Sequence, residues 1–268
     1  MSKKNDTRHN VPTNTRPPLA GWLGGKSRLA KRIISEIPGH TCYVEVFAGA
    51  AWVLFRKPES KVEVINDYSR DVANLYRVLQ NHLEEFTRQF KFQIVSREEW
   101  ERLNSLPPEA LTDIQRAAQF YYLQKMSFGG KVNGRTFGTA TTAKPRINLL
   151  RIEEELSETH LRLARVMVEN QNYQDCIKRY DRLHTFFYID PPYYDCENDY
   201  GKDMFGKEDF QALADQLATI KGKFLLSLND KPEVREIFKN FDISNADTTY
   251  STGNRGPKKV SELIIKNY

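Results

Sequence analysis

Phe186-Phe187-Tyr188-Ile189-Asp190-Pro191-Pro192-Tyr193 is the stretch on which the reading of this chain turns. Four apolar residues of strand-forming type run into an acid, two prolines and an aromatic. A run this short and this apolar, stopped by prolines, predicts a buried strand of a parallel sheet. In open parallel sheets ligands bind beyond the carboxyl ends of the strands, which is where Asp190 falls. The two prolines fix the backbone and remove two N–H donors, so carbonyl oxygens are left facing outward. An isolated Asp-Pro-Pro could equally be a rigid turn, so its surroundings decide.

On both sides of this segment short apolar runs alternate with helical stretches. With 186–189, the segments 43–47, 62–65, 166–169, 224–228, 243–250 and 260–267 are predicted strands. Helical patterns at 27–36, 70–80, 207–220 and 232–239 lie between most of them. This alternation predicts an α/β fold with a largely parallel sheet covered on both faces. The last two strands are joined by residues 251–259, too few for a helix, so they should pair antiparallel. Between 83 and 165 the alternation breaks. Helices at 98–104, 113–127 and 148–165 surround a glycine-rich basic segment, 128–145, expected to form a loop or hairpin. Residues 83–165 are therefore expected as an inserted helical subdomain within a main domain made of 19–82 and 166–268. Residues 1–18, polar and carrying Pro12, Pro17 and Pro18, are expected as a disordered basic tail.

Apolar residues make up 40% of the 268, enough for a sizeable core. No apolar run is long enough to span a bilayer and the first residues lack a signal-peptide core, so a cytoplasmic protein with no membrane partner is expected. Cys42, Cys176 and Cys196 are odd in number and widely spaced, which points to reduced thiols and no metal site. The net charge of +5 is unevenly spread. Lys125, Lys131, Arg135, Lys144 and Arg146 fall in one stretch without an acid, and Met1 to Arg32 holds eight basic residues against Asp6 alone. Arg255, Lys258 and Lys259 form a third cluster. Cationic loops on a balanced chain suit a polyanion, although solubility alone would also favour them.

Three further stations carry chemistry. In Tyr43-Val44-Glu45-Val46-Phe47-Ala48-Gly49-Ala50-Ala51 a strand runs into small residues that let a ligand approach the backbone. Val64-Ile65-Asn66-Asp67 ends the next strand in an acid, at a spacing that suits ribose hydroxyls. Asp67 could equally cap the helix that follows. Gly21-Trp22-Leu23-Gly24-Gly25-Lys26 precedes the first helix as a candidate anion or carboxylate site, with Trp22 as plain core filler the alternative reading. It lacks the spacing of a phosphate-binding P-loop, and no G-x-G-x-x-G follows the first strand, which argues against a dinucleotide oxidoreductase.

Taken in order, these segments resemble the DNA adenine methylase (Dam-like, D12 class) family of adenine-N6-specific DNA methyltransferases. The resemblance rests on Trp22-Leu23-Gly24-Gly25-Lys26, Phe47-Ala48-Gly49, Asn66-Asp67, Phe128-Gly129-Gly130 and Asp190-Pro191-Pro192-Tyr193. Tyr250-Ser251 and the closing Glu262-Leu263-Ile264-Ile265-Lys266-Asn267-Tyr268 extend it over roughly residues 19 to 268. It implies a Rossmann-like fold, mostly parallel with an antiparallel C-terminal strand, plus an inserted helical target-recognition subdomain. It implies S-adenosylmethionine as methyl donor, S-adenosylhomocysteine as product, no metal, and double-stranded DNA as partner of a monomer or weak dimer. Trp22, Lys26, Phe47, Gly49, Asp67, Tyr173 and Asp190 would line the donor pocket, and Asp190, Pro191, Pro192 and Tyr193 would serve catalysis. Two departures stand out. Val46 replaces a frequent proline, and Ala51 replaces a usual glycine, which leaves the backbone unstrained only if the φ of Ala51 is negative. Relatives acting on cytosine N4, RNA adenine or protein glutamine could use the same chemistry, and a silent DNA-binding homologue could keep the fold; Asp190, where many such relatives carry Ser or Asn, favours DNA adenine.

Lys131, Asn133 and Arg135 sit among glycines in the inserted segment as candidate DNA readers, with Arg255 and Lys258 as further contacts. They read base edges, or they touch only phosphate. Methylation of a randomised duplex library separates the two: substituting a base reader changes the preferred sequence, whereas substituting a phosphate contact lowers affinity uniformly and flattens its salt dependence.

Overall fold

The computed structural model of the chain describes residues 14–139, 141–196, 205–251 and 257–268, with backbone alone at 248–251 and 257–259. Residues 1–13 of the expected tail, residues 197–204 and Arg255 lie outside the described residues.

Seven strands form one sheet: β1 (Cys42–Glu45), β2 (Val62–Asn66), β3 (Val166–Glu169), β4 (Thr185–Ile189), β5 (Lys223–Asn229), β6 (Asp242–Ser251) and β7 (Pro257–Lys266). Their order is β3-β2-β1-β4-β5-β7-β6. The first five are parallel, whereas β7 runs antiparallel between β5 and β6. The chain starts at β1, moves outward to β3, then returns to β4 on the other side of β1. The strand order therefore reverses between β1 and β4, the crevice where sheets of this kind hold ligands. This is the Rossmann-like arrangement that the sequence implied.

Strands β1 and β4 are buried along their whole length, which is why they read as runs without a polar alternation. Successive side chains still take opposite faces. Tyr43, Phe186 and Tyr188 enter one core, and Val44, Phe187 and Ile189 the other. The second core is closed by α8 (Tyr173–Tyr180), α9 (Lys207–Leu217) and α10 (Pro232–Ile237). The first is closed by α1 (Ala30–Glu36), α2 (Trp52–Arg56), α3 (Arg70–Asn81), α4 (Leu83–Arg88), α5 (Arg97–Ser105), α6 (Asp113–Met126) and α7 (Ile152–Leu163). Among the described residues no helix is long and apolar enough to cross a membrane.

Several details depart from the sequence reading. Helix α1 starts at Ala30, three residues later than 27. Helices α2, α4 and α8 were not anticipated, because five to eight residues are too few to display a helical period. Thr15 to Pro18, expected as disordered tail, are packed: Thr15 N–H donates to Phe55 O at 2.9 Å, and Pro17 and Pro18 are buried. In the basic segment a short hairpin forms, with Ser127 bridged antiparallel to Phe137 and Phe128 N–H donating to Thr136 O at 2.8 Å. At its bend Gly130 lies so close to the first loop that a Cβ there would fall 1.7 Å from Gly21 O. Leu23 N–H donates to Gly130 O at 3.2 Å, so the hairpin and the Trp22 loop form one wall.

The helices of residues 83–165 have no core apart from the sheet. Phe86, Trp100, Tyr121 and Leu156 belong to the same buried cluster as Tyr43 and Val53. Helix α7 is also latched by charge. Arg162, 2% exposed, donates to Glu63 Oε1 at 2.9 Å and to Leu54 O at 2.9 Å, and Lys57 meets the same Glu63 carboxylate. With all three charges out of water, removing one leaves the others uncompensated. Arg162→Ala is expected to cost about 3–5 kcal/mol of unfolding free energy, read by urea denaturation.

Candidate active site

A cavity opens at the carboxyl ends of β1, β2 and β4, at the point where the strand order reverses. Its walls come from four separate segments: the Trp22–Lys26 loop, the turn after β1, the tip of β2, and Asp190 with Pro192 after β4. Val132, from the basic hairpin, and Phe205 complete it.

Asp190 is the centre of its polar end. The side chain is 17% exposed, and its Oδ1 accepts from Lys26 Nζ at 2.7 Å and from Ser227 Oγ at 3.0 Å. Oδ2 accepts from no described residue. Burial pushes the carboxyl up to about 6, against the pull of the Lys26 ammonium. Lys26 is itself buried, donates to Gly24 O at 2.9 Å, and stands 4.7 Å from the centre of the Tyr193 ring. The main chain beyond the prolines is fixed by Asn229 at the end of β5, which accepts from Tyr194 N–H at 3.0 Å and donates to Tyr194 O at 2.9 Å.

At the other end, the Asp67 carboxylate ties two elements together. Oδ2 accepts from Gly49 N–H and Oδ1 from Ser69 N–H, both at 2.8 Å. Both readings of Asp67 thus have a footing: it anchors the backbone just ahead of α3 and it lines the cavity. Burial raises it to about 6. Gly49 has φ +46°, and a Cβ there would lie 2.9 Å from Trp22 Nε1, so close approach is what this glycine provides. Ala51 does not meet the condition of a negative φ: it is left-handed at φ 52°, ψ 41°. An alanine there costs roughly 1–2 kcal/mol of backbone strain, which the burial of its surroundings sustains.

Trp22, Lys26, Phe47, Gly49, Asp67, Asp190 and Pro192 all line the cavity. Trp22 is core and wall at once, meeting Phe120 edge-on at 6.2 Å. Tyr173 stands one layer behind: it stacks on Phe47 at 5.8 Å and donates to Asp209 Oδ1 at 3.0 Å. Pro191 is buried, and Tyr193 packs against the second core with its ring beside Lys26. Lys131 and Asn133 are exposed at the hairpin tip, and Arg135 is half-buried over the Phe120 ring at 5.2 Å. Lys258 is in β7 with backbone alone described. Sequence reasoning gave no role to Glu45, Ser227 and Asn229, whose partners come from other elements or, for Tyr43 beside Glu45, from the same strand.

The arrangement offers a carboxylate acceptor, a buried ammonium, a second acid and aromatic walls around a space of small-molecule size. The family described as D12 class N6 adenine-specific DNA methyltransferase matches residues 22–252. The chain belongs to this family. It is an adenine-specific DNA methyltransferase of α/β fold. It is similar to the Type II methyltransferase M.CviBI of Paramecium bursaria Chlorella virus NC1A, with 26% identity over 94% of this chain and 99% of the relative. The Type II methyltransferase M.MjaIII of Methanocaldococcus jannaschii is 23% identical over 94% and 99%. The DNA adenine methylase of Vibrio cholerae is 25% identical over 91% and 93%.

One feature of this methyltransferase's cavity invites a direct measurement. Glu45, 2% exposed, accepts from Tyr43 O–H at 2.8 Å and Leu54 N–H at 3.0 Å, yet burial pushes its carboxyl up to about 8. A raised carboxyl pKa favours the folded state fully below the unfolded value of about 4.5 and loses that contribution as pH climbs through 8. Unfolding free energy should therefore decline from pH 5 to pH 8, and Glu45→Gln should flatten that decline in urea titrations across the range.

Proposed function

We propose that the enzyme binds S-adenosylmethionine in this cavity and methylates N6 of an adenine flipped out of double-stranded DNA, releasing S-adenosylhomocysteine. The observation that carries this reading is the Asp190 carboxylate, fixed through Oδ1 by Lys26 and Ser227 in a cavity that Asp67, Trp22 and Phe47 also line. The donor set fits as well. Lys26 suits a carboxylate, Asp67 suits ribose hydroxyls at a net 1.5–3 kcal/mol or so per charged hydrogen bond, and the faces of Trp22 and Phe47 suit an adenine ring. Bound there, the donor supplies an electrophilic methyl group on a sulfonium.

The residues of the chain then prepare the nucleophile. An exocyclic amine of adenine is weak because its lone pair is delocalised into the ring. The Asp190 carboxylate and the Pro191 carbonyl each accept one of its hydrogens, which draws the nitrogen towards tetrahedral geometry and localises that pair. No covalent intermediate with the protein is needed; positioning and electrostatics suffice. Flipping the base costs a few kcal/mol, and stacking on Tyr193 returns about 1–3 kcal/mol of it. Lys131, Asn133 and Arg135 on the hairpin, with Arg255 and Lys258 as further contacts, hold and read the duplex. The DNA adenine methylase and Type II methyltransferase names of the relatives support a site-specific enzyme.

Asp190→Ala should lower single-turnover methyl transfer by about a thousandfold or more while duplex affinity persists; retained turnover in the purified variant would remove Asp190 from this role. Because the ionised Asp190 is the stronger acceptor and its carboxyl sits at about 6, the transfer rate in the wild-type enzyme should fall as pH drops through 6. A pH–rate profile under single-turnover conditions reads this.

A further inference from the structure

Three cations from three separate segments meet in a second cleft, divided from the methyl-donor cavity by Trp22, which lines both. Lys125 lies in the last turn of α6 and is 9% exposed. Its ammonium has the Tyr121 ring at 5.1 Å and neither a hydrogen bond nor an ion pair with any described residue. Arg16, on the packed tail segment, and Arg146, after the basic hairpin, border the same cleft with no such partner among the described residues. Arg146 Nη1 would lie 3.7 Å from a Cβ placed on Gly21. No carboxylate lines this cleft. The nearest acids are Glu154, Glu155 and Glu158 in an adjoining cleft, where Glu154 is already paired with Arg151 and Glu155 partly offsets the charge of Lys125. Burial, then the field of Arg16, push the lysine down to about 8, with Glu155 opposing that fall and Arg146 adding to it.

A buried ammonium lacking a partner is costly, and a chain gains by placing one only where an anion arrives. We propose that Arg16, Lys125 and Arg146 seat a backbone phosphate of the DNA duplex, an assignment that rests on the chain acting on DNA. A phosphodiester is the anion that fits. It is held in place by the rest of the duplex, and exposed Lys131 and Lys144 continue the positive surface from the cleft with no acid between Lys125 and Arg146. The seat would anchor the duplex one aromatic side chain away from the donor cavity, so that the neighbouring hairpin meets it in a fixed register.

The test uses the full chain with a fluorescent duplex, titrated by anisotropy over a series of salt concentrations, for wild type, Lys125→Gln and Arg146→Gln. Arg146 is exposed, so its variant folds even if the Lys125 variant does not. Each variant should make the salt slope shallower, by up to about 0.9 for loss of the whole phosphate, and at about 0.1 M salt weaken binding by up to roughly eightfold. Affinity for S-adenosylmethionine, measured by calorimetry, should not change. Wild-type protein that binds no duplex at any salt would overturn the reading of the chain as a DNA enzyme. Wild-type binding matched by both variants in affinity and slope would overturn the phosphate seat alone. Inorganic phosphate that stabilises the wild type against heat, with variant DNA affinity unaltered, would make this a small-anion site and overturn the proposal too.

Discussion

The ion pair between Lys26 and Asp190, 2.7 Å long and mostly out of water, is the constraint around which the site is built. It joins the loop before α1 to the end of β4, two segments more than 160 residues apart in sequence. The pair holds a carboxylate that burial alone would neutralise, since the Lys26 ammonium opposes a rise that still reaches about 6. Ser227 and Asn229, both from β5, add the hydrogen bonds that fix the carboxylate and the chain after it. Parallel pairing of β4 with β5 is what brings these residues to Asp190.

The same logic runs through the rest of the cavity. Asp67 links the turn after β1 to the tip of β2, and Glu45 links β1 to α2 through Leu54 N–H. Each is a buried acid whose pKa is raised by loss of water, so this cavity is a place where folding is opposed. Left-handed Ala51 adds strain in the same turn. Such concentration of unfavourable terms at one place, sustained by two large cores on either face of the sheet, is the usual physical signature of a site selected for chemistry.

The helices of residues 83–165 and the sheet are built as one body. Through Arg162, Glu63 and Lys57, α7 is bound to the edge of β2 and the end of α2. Through Gly130, the basic hairpin is pressed onto the Trp22 loop that walls the cavity. Both contacts are close and poorly compressible, so a displacement of the hairpin would be felt at the cavity wall.

Strand number, the antiparallel end of the sheet and the long helices were legible in the sequence, because apolar period and turn residues are local signals. So were Asp190, Asp67, Lys26 and the Gly49 turn, each lying at a strand end or a glycine-rich bend. The short helices α2, α4 and α8 were not, since packing makes them helical. Ser227 and Asn229 were invisible because their meaning lies in which strand stands beside them, and Glu45 because its partner Leu54 comes from a helix that the sequence did not show. The sequence by itself determined the fold class and the chemical groups of the site. The tertiary structure alone decided which of those groups share a desolvated space, since burial and charge pairing act through distance in space.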